Sequence, residues 1–156
     1  MPARDERVLP LNRWLVGGGV LSAVAGLLHV AIIVGGGDWY RFFGAGEAMA
    51  RAAERGSPLR ALITTGIAAV LLVWAAYAFS GAGLIRRLPL LRTALVTISA
   101  IYLIRAVAPA PMLVIEPGQV DAFVLWSSLI VLVYGVAYGV GTWTAWRGLK
   151  SGRDAA

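Results

Sequence analysis

Few residues in this sequence could carry chemistry. His29, the single histidine, and Arg105 both stand inside long apolar runs. An imidazole offers one donor and one acceptor when neutral, and a guanidinium offers a fixed fork of donors that needs an anion. Tyr102 lies three residues before Arg105 and shares its helical face. His29 follows Ser22 by seven residues and Gly26 by three, so it projects from the same small-residue face. Counted along helices at 1.5 Å per residue, His29 sits about 22 Å beyond Trp14 and Arg105 about 22 Å beyond Leu90. Ser127 and Ser128 reach that level from the last run, and Thr64 and Thr65 from the second. The sharp reading is one outward-opening polar pocket of His29, Arg105, Tyr102, Ser127 and Glu47 for a lipid-like or amphipathic anionic ligand. The anion for Arg105 is then Glu47, Glu116 or Asp121 from the protein, or a headgroup or carboxylate from outside. Plainer alternatives stand beside it. Arg105 can snorkel to lipid phosphates, and His29 can be a core imidazole bonded to a carbonyl or hydroxyl.

Catalytic patterns are lacking. Without cysteine there is no thiolate metal site, disulfide or thiol nucleophile. One histidine cannot build a multi-histidine metal or haem site. Residues 17–19 and 35–37 are glycine runs, but neither has the Lys-Ser/Thr that a phosphate loop needs. Acidic residues are missing from the apolar runs, which argues against a carboxylate proton relay. A Ser–His pair from Ser22 or Ser127 with His29 lacks an orienting acid. The chain therefore reads as non-enzymatic, with no cofactor and no metal.

These side chains must be positioned by elements suited to lipid. The 156 residues allow one domain, and 59% apolar against 14% charged departs far from a water-soluble composition. Four spans exceed or approach the roughly 20 residues that cross a bilayer: 14–37, 61–85, 88–108 and 122–146. Backbone in lipid must satisfy its own hydrogen bonds, so each should be a helix. The third is the weakest, since it holds Arg92 and Arg105 and is stopped by Pro109 and Pro111. The first is too long for the apolar part of a signal peptide and reads as an uncleaved anchor. The fold class is thus all-α, a polytopic four-transmembrane-helix bundle in a single integral membrane domain.

A short amphipathic interfacial helix is expected over residues 38–55. Asp38 would cap it, Gly56 would end it and Pro58 would prevent continuation. Trp39, Phe42, Phe43, Gly46, Met49, Ala50 and Ala53 would form its apolar face, and Glu47 would pair with Arg51 four residues on.

The formal charge of +6 does not point to nucleic acid, because most basic residues flank the spans. Arg4, Arg7, Arg13, Arg86, Arg87, Arg92, Arg147, Lys150 and Arg153 fall on one side. Arg41, Arg51, Arg55 and Arg60 fall on the other, partly offset by Asp38, Glu47 and Glu54. The positive-inside bias places both termini in the cytoplasm. The arginine-, alanine- and glycine-rich composition suits a bacterial inner membrane.

Gly18, Ser22 and Gly26 form a close-packing stripe, as do Gly135 and Gly139, and Ala137 and Gly141. They serve packing within the chain or contact with a membrane-protein partner or second copy. Ser127, Tyr134 and Tyr138 share one face, and Trp74, Tyr77 and Ser80 another. They line an apolar ligand or simply pack the core. The expected partners are membrane lipid and a hydrophobic or amphipathic small molecule. Two rival readings remain open: an accessory or scaffold subunit, and a small solute carrier.

Overall fold

The computed structural model describes residues 11–116, 118 and 120–149. Among these, the regular structure is helical: α1 (Arg13–Phe42), α2 (Glu47–Glu54), α3 (Pro58–Gly81), α4 (Leu91–Val107), α5 (Ala110–Ile115) and α6 (Ala122–Ala145). Four stretches are long and apolar enough to cross a membrane: α1, α3, α4 continued through α5, and α6.

Local sequence explains the boundaries. Asn12 caps α1 by accepting from the Leu15 N–H at 3.1 Å, and Asp121 caps α6 by accepting from Val124 at 2.8 Å. Pro58 stands at the start of α3, not as a barrier after the preceding helix. Its fixed φ and missing N–H suit a first helical turn. That moves the second span to begin three residues earlier than expected. Pro109 and Pro111 do end α4, but the chain resumes a helix at once as α5.

The expected interfacial helix over residues 38–55 is corrected. Asp38 does not cap it. Residues through Phe42 belong to α1, whose axis breaks at Gly36 (φ 70°, ψ −155°), a conformation that is essentially glycine's alone. A second break follows, with Gly44 (φ 68°) and Gly46 (φ 88°) in left-handed backbone that stops the helix before Glu47. The amphipathic segment is therefore two short pieces joined by an elbow. Gly56 (φ 66°) ends α2, as its position suggests.

The helices form a ring in which α1 packs on α3, α3 on α4, α4 on α6 and α6 on α1. Alternation brings Arg13, Arg86, Arg87, Arg92 and Arg147 to one end, the basic end; Arg4, Arg7, Lys150 and Arg153 lie outside the described residues. Here all four long helices share a core of Leu15, Ala78, Leu91, Leu95, Ile98 and Tyr138, sealed by Leu149. The side chain of Asn12 ties α1 to α6, donating to the Gly141 carbonyl at 2.8 Å and to Thr144 at 3.0 Å. Ser80 ties off the α3–α4 turn, donating to the Arg86 carbonyl and accepting from the Leu88 N–H.

The far end is built differently. Its core, Ile32, Tyr40 and Ala50, comes from α1 and α2, with Leu28, Phe43 and Met49 against it. No described residue of α4 beyond Tyr102, and none of α5, is buried. The two halves of the ring are thus closed together at the basic end and share little core at the other.

Candidate functional site

At the junction of these two regions, one buried polar chain joins all four long helices. The Ser22 hydroxyl lies 2.9 Å from the Tyr102 hydroxyl and 2.9 Å from that of Tyr138, and Tyr138 donates to the Trp74 carbonyl at 3.0 Å. A carbonyl only accepts and each hydroxyl has one proton, so the direction is fixed. Tyr102 donates to Ser22, Ser22 to Tyr138, and Tyr138 to Trp74. One lone pair of Tyr102 is left over at the head of the chain. The rings pack as well: Tyr102 meets Trp74 edge-on at 4.9 Å, Tyr134 at 5.3 Å and Tyr138 at 5.5 Å. Gly18 makes room for the Tyr138 ring, which an added Cβ would meet at 2.9 Å.

The two aromatic stripes and the small-residue stripe are therefore packed against one another within the chain. Gly26 faces Leu72 and the Ala68 carbonyl, and Gly135 faces Leu103.

Beyond this floor come the two costly side chains. Measured from the level of Ser22, His29 is about 10 Å toward the far end. Arg105 follows Tyr102 by three residues, about 5 Å further along α4 in the same direction. The two helices are diagonal in the ring, however, and no hydrogen bond joins the pair. His29 is half-buried and its Nδ1 donates to the Ala25 carbonyl at 2.8 Å, which leaves Nε2 as the acceptor of a neutral ring. Arg105 is exposed, and it forms no ion pair among the described residues.

The other expected members divide. Tyr102 is 6% exposed and heads the hydroxyl chain. Ser127 is half-buried and donates to the Val124 carbonyl of its own helix at 3.0 Å. Its neighbour Ser128 is buried, and its hydroxyl has no partner among the described residues. Sequence gave no reason to prefer Ser128, because adjacent serines differ only in which face the helix turns inward.

Glu47 does not reach Arg105. Both its oxygens meet Arg41, at 2.9 and 3.0 Å, and Arg51 stands 3.6 Å away. Arg41 also binds Glu54 at 2.6 Å and Asp38 at 3.2 Å. The hydrogen bond from Arg41 holds the Glu47 carboxyl below its ordinary range. Arg41 thereby clasps the elbow, drawing α2 back onto the end of α1. Beneath it Tyr40 is anchored by a second directed pair: Tyr40 donates to Thr64 at 2.8 Å, and Thr64 to the Arg60 carbonyl at 3.1 Å. The Arg60 guanidinium sits 5.2 Å from the Tyr40 ring centroid. Phe123 of α6 rests against Gly44 in the elbow.

No group of three potential metal ligands occurs among the described residues. Comparison with protein-family models, with curated proteins and with solved structures finds no match for this chain.

Proposed function

We propose that this chain is a small, non-enzymatic membrane protein that holds an amphipathic anion in the leaflet at its far end. It spans the bacterial inner membrane four times with both termini in the cytoplasm. Four helices apolar enough to cross, and the gathering of Arg13, Arg86, Arg87, Arg92 and Arg147 at one end, support that orientation.

The observation that carries the ligand reading is Arg105. A guanidinium within an apolar span costs about 2.5–3.5 kcal/mol at mid-helix, less near an end, and an anion offsets that cost. Asp121 caps α6, Glu47 is bound to Arg41, and Arg105 forms no ion pair among the described residues, which supports an anion from outside the chain. The ligand's charged group meets Arg105, the Ser128 hydroxyl offers a further hydrogen bond, Nε2 of His29 can accept only from a hydroxyl on the ligand, and the apolar tail lies over Tyr102 between the two helix pairs. α2 and the elbow cover the mouth.

Oleate is a suitable probe, being a single apolar chain with one carboxylate. Saturating oleate should raise the melting temperature of the purified protein in neutral detergent by about 5–10 °C, the shift expected at roughly 100 times Kd. Arg105→Ala should abolish that shift while leaving the ligand-free melting temperature unchanged. An equal shift in the variant would refute the reading.

A further inference from the structure

A second arrangement lies at the basic end and involves neither His29 nor Arg105. Along the seam of α4 and α6 runs a cleft of about 300 Å³, bounded by Val96, Ala100 and Leu103 on one wall and Gly139, Thr142 and Trp146 on the other. That is the lower end of the range for ligand pockets.

Ser99 on this cleft donates to the Gly135 carbonyl at 3.3 Å, but two other polar side chains beside it have atoms without partners among the described residues. Thr142 is 5% exposed, and its hydroxyl has no hydrogen-bond partner among the described residues. A helical threonine ordinarily satisfies itself on a carbonyl one turn back, as Thr144 does on Val140 at 2.9 Å. Thr142 does not, and the residue lines the cleft, so its buried donor is uncommitted beside whatever fills it. At the mouth, the Arg92 guanidinium stacks 3.9 Å from the Trp146 ring centroid, with its Nε buried and unpaired among the described residues. α4 begins there without a side-chain cap, so its first N–H groups add positive potential.

The order of these groups along the membrane normal is informative. Cationic Arg92 lies at the surface level of Trp146. The Thr142 donor lies one helical turn deeper, about 6 Å, and the apolar wall from Val96 to Leu103 follows. A glycerophospholipid presents a phosphate, then an ester carbonyl, then an acyl chain in the same order. The surrounding Arg86, Arg87 and Arg147 favour an anionic headgroup.

We propose that the α4–α6 cleft is a site for one anionic glycerophospholipid. Its phosphate lies on Arg92, an ester carbonyl accepts from Thr142, and one acyl chain runs along Val96, Ala100 and Leu103. The site rests on the membrane insertion proposed above and is independent of the far-end ligand.

Native mass spectrometry of the full chain in mild detergent, with added dioleoyl phosphatidylglycerol or dioleoyl phosphatidylcholine, tests it. One phosphatidylglycerol should be retained, at least about tenfold better than phosphatidylcholine. Thr142→Val should reduce retention about fivefold and Arg92→Gln about tenfold. Ala100→Phe, at an exposed position, should block the cleft. Arg105→Ala should retain the lipid fully, which separates this site from the far-end one. Thr142→Val should melt no lower than wild type without lipid, because the hydroxyl it removes has no partner. Wild-type retention by Thr142→Val and Arg92→Gln, equal binding of phosphatidylcholine, or loss of lipid in Arg105→Ala would each overturn the proposal.

Discussion

Ser22 has no charge and little reactivity, yet its hydroxyl joins tyrosines from two other helices. Those partners lie 80 and 116 residues away in the chain. The hydroxyl both accepts and donates, so Ser22→Ala breaks the directed chain in its middle and leaves the Tyr102 proton without an acceptor. Hydrogen bonds between membrane helices average about 0.6 kcal/mol and reach about 1.7, so the loss of two should destabilise by about 1–2 kcal/mol. Unfolding in mixed micelles of increasing SDS fraction measures this. Ser127→Ala is the control, since its hydroxyl serves its own helix and should change little. Equal effects of the two substitutions would remove Ser22 from its central place. The residue types were legible beforehand: the Gly18–Ser22–Gly26 face and the Tyr134–Tyr138 face both follow from helical spacing. That they meet was not legible, because spacing along one helix says nothing about which face of another it confronts.

At the scale of elements, the elbow between α1 and α2 departs most from a simple periodic pattern. The residues at 39, 42, 43, 46, 49, 50 and 53 fit one amphipathic helix in projection, but two glycines with positive φ, Gly44 and Gly46, divide it. Projection assumes unbroken helical backbone, and the run at residues 35–37 with Gly44 and Gly46 was the signal against that assumption. The break lets Arg41 fold back on Glu47 and Glu54 together, a geometry that a straight helix over 38–55 would spread along its length. The clasp gives a pH dependence. The Glu47 carboxyl is held below its ordinary range, so its pairing favours the docked α2 at neutral pH. That contribution is present above the ordinary carboxylate pKa, about 4.3, and is lost as pH falls through the lower folded value. Hydrogen-exchange protection factors for residues 47–54 should therefore fall between about pH 5 and pH 3. Arg41→Gln should show low protection already at pH 7 and no further dependence. Protection that is flat with pH in the wild type would contradict the clasp. High salt should weaken it too, since the pairs are solvent-exposed.

For the whole molecule, the distribution of core matters more than its amount. The basic end is held by four helices around Leu15, Leu95 and Tyr138, whereas at the far end α4 and α5 bury nothing beyond Tyr102. The proposed ligand-binding mouth therefore falls in the half with little shared core. The orientation in the membrane is open to a direct measurement, because the chain has no native cysteine. Ala45→Cys, in the exposed elbow, should react with a membrane-impermeant maleimide in intact cells. Leu84→Cys, in the exposed turn at the basic end, should react after lysis alone. The opposite pattern would invert the topology and place the far-end site in the cytoplasmic leaflet.

Composition and apolar run length alone were enough to establish four long helices, because lipid-compatible backbone has one local solution and that solution is written in consecutive residues. Charge bias likewise assigned Arg13, Arg86, Arg87, Arg92 and Arg147 to one end and Arg41, Arg51, Arg55 and Arg60 to the other. Tertiary structure decided the pairing: Glu47 with Arg41, Ser22 between two tyrosines, Thr142 without a partner, and Arg105 on the surface. Each of these depends on helix rotation and register across long loops, which the periodicity of any single helix leaves undetermined.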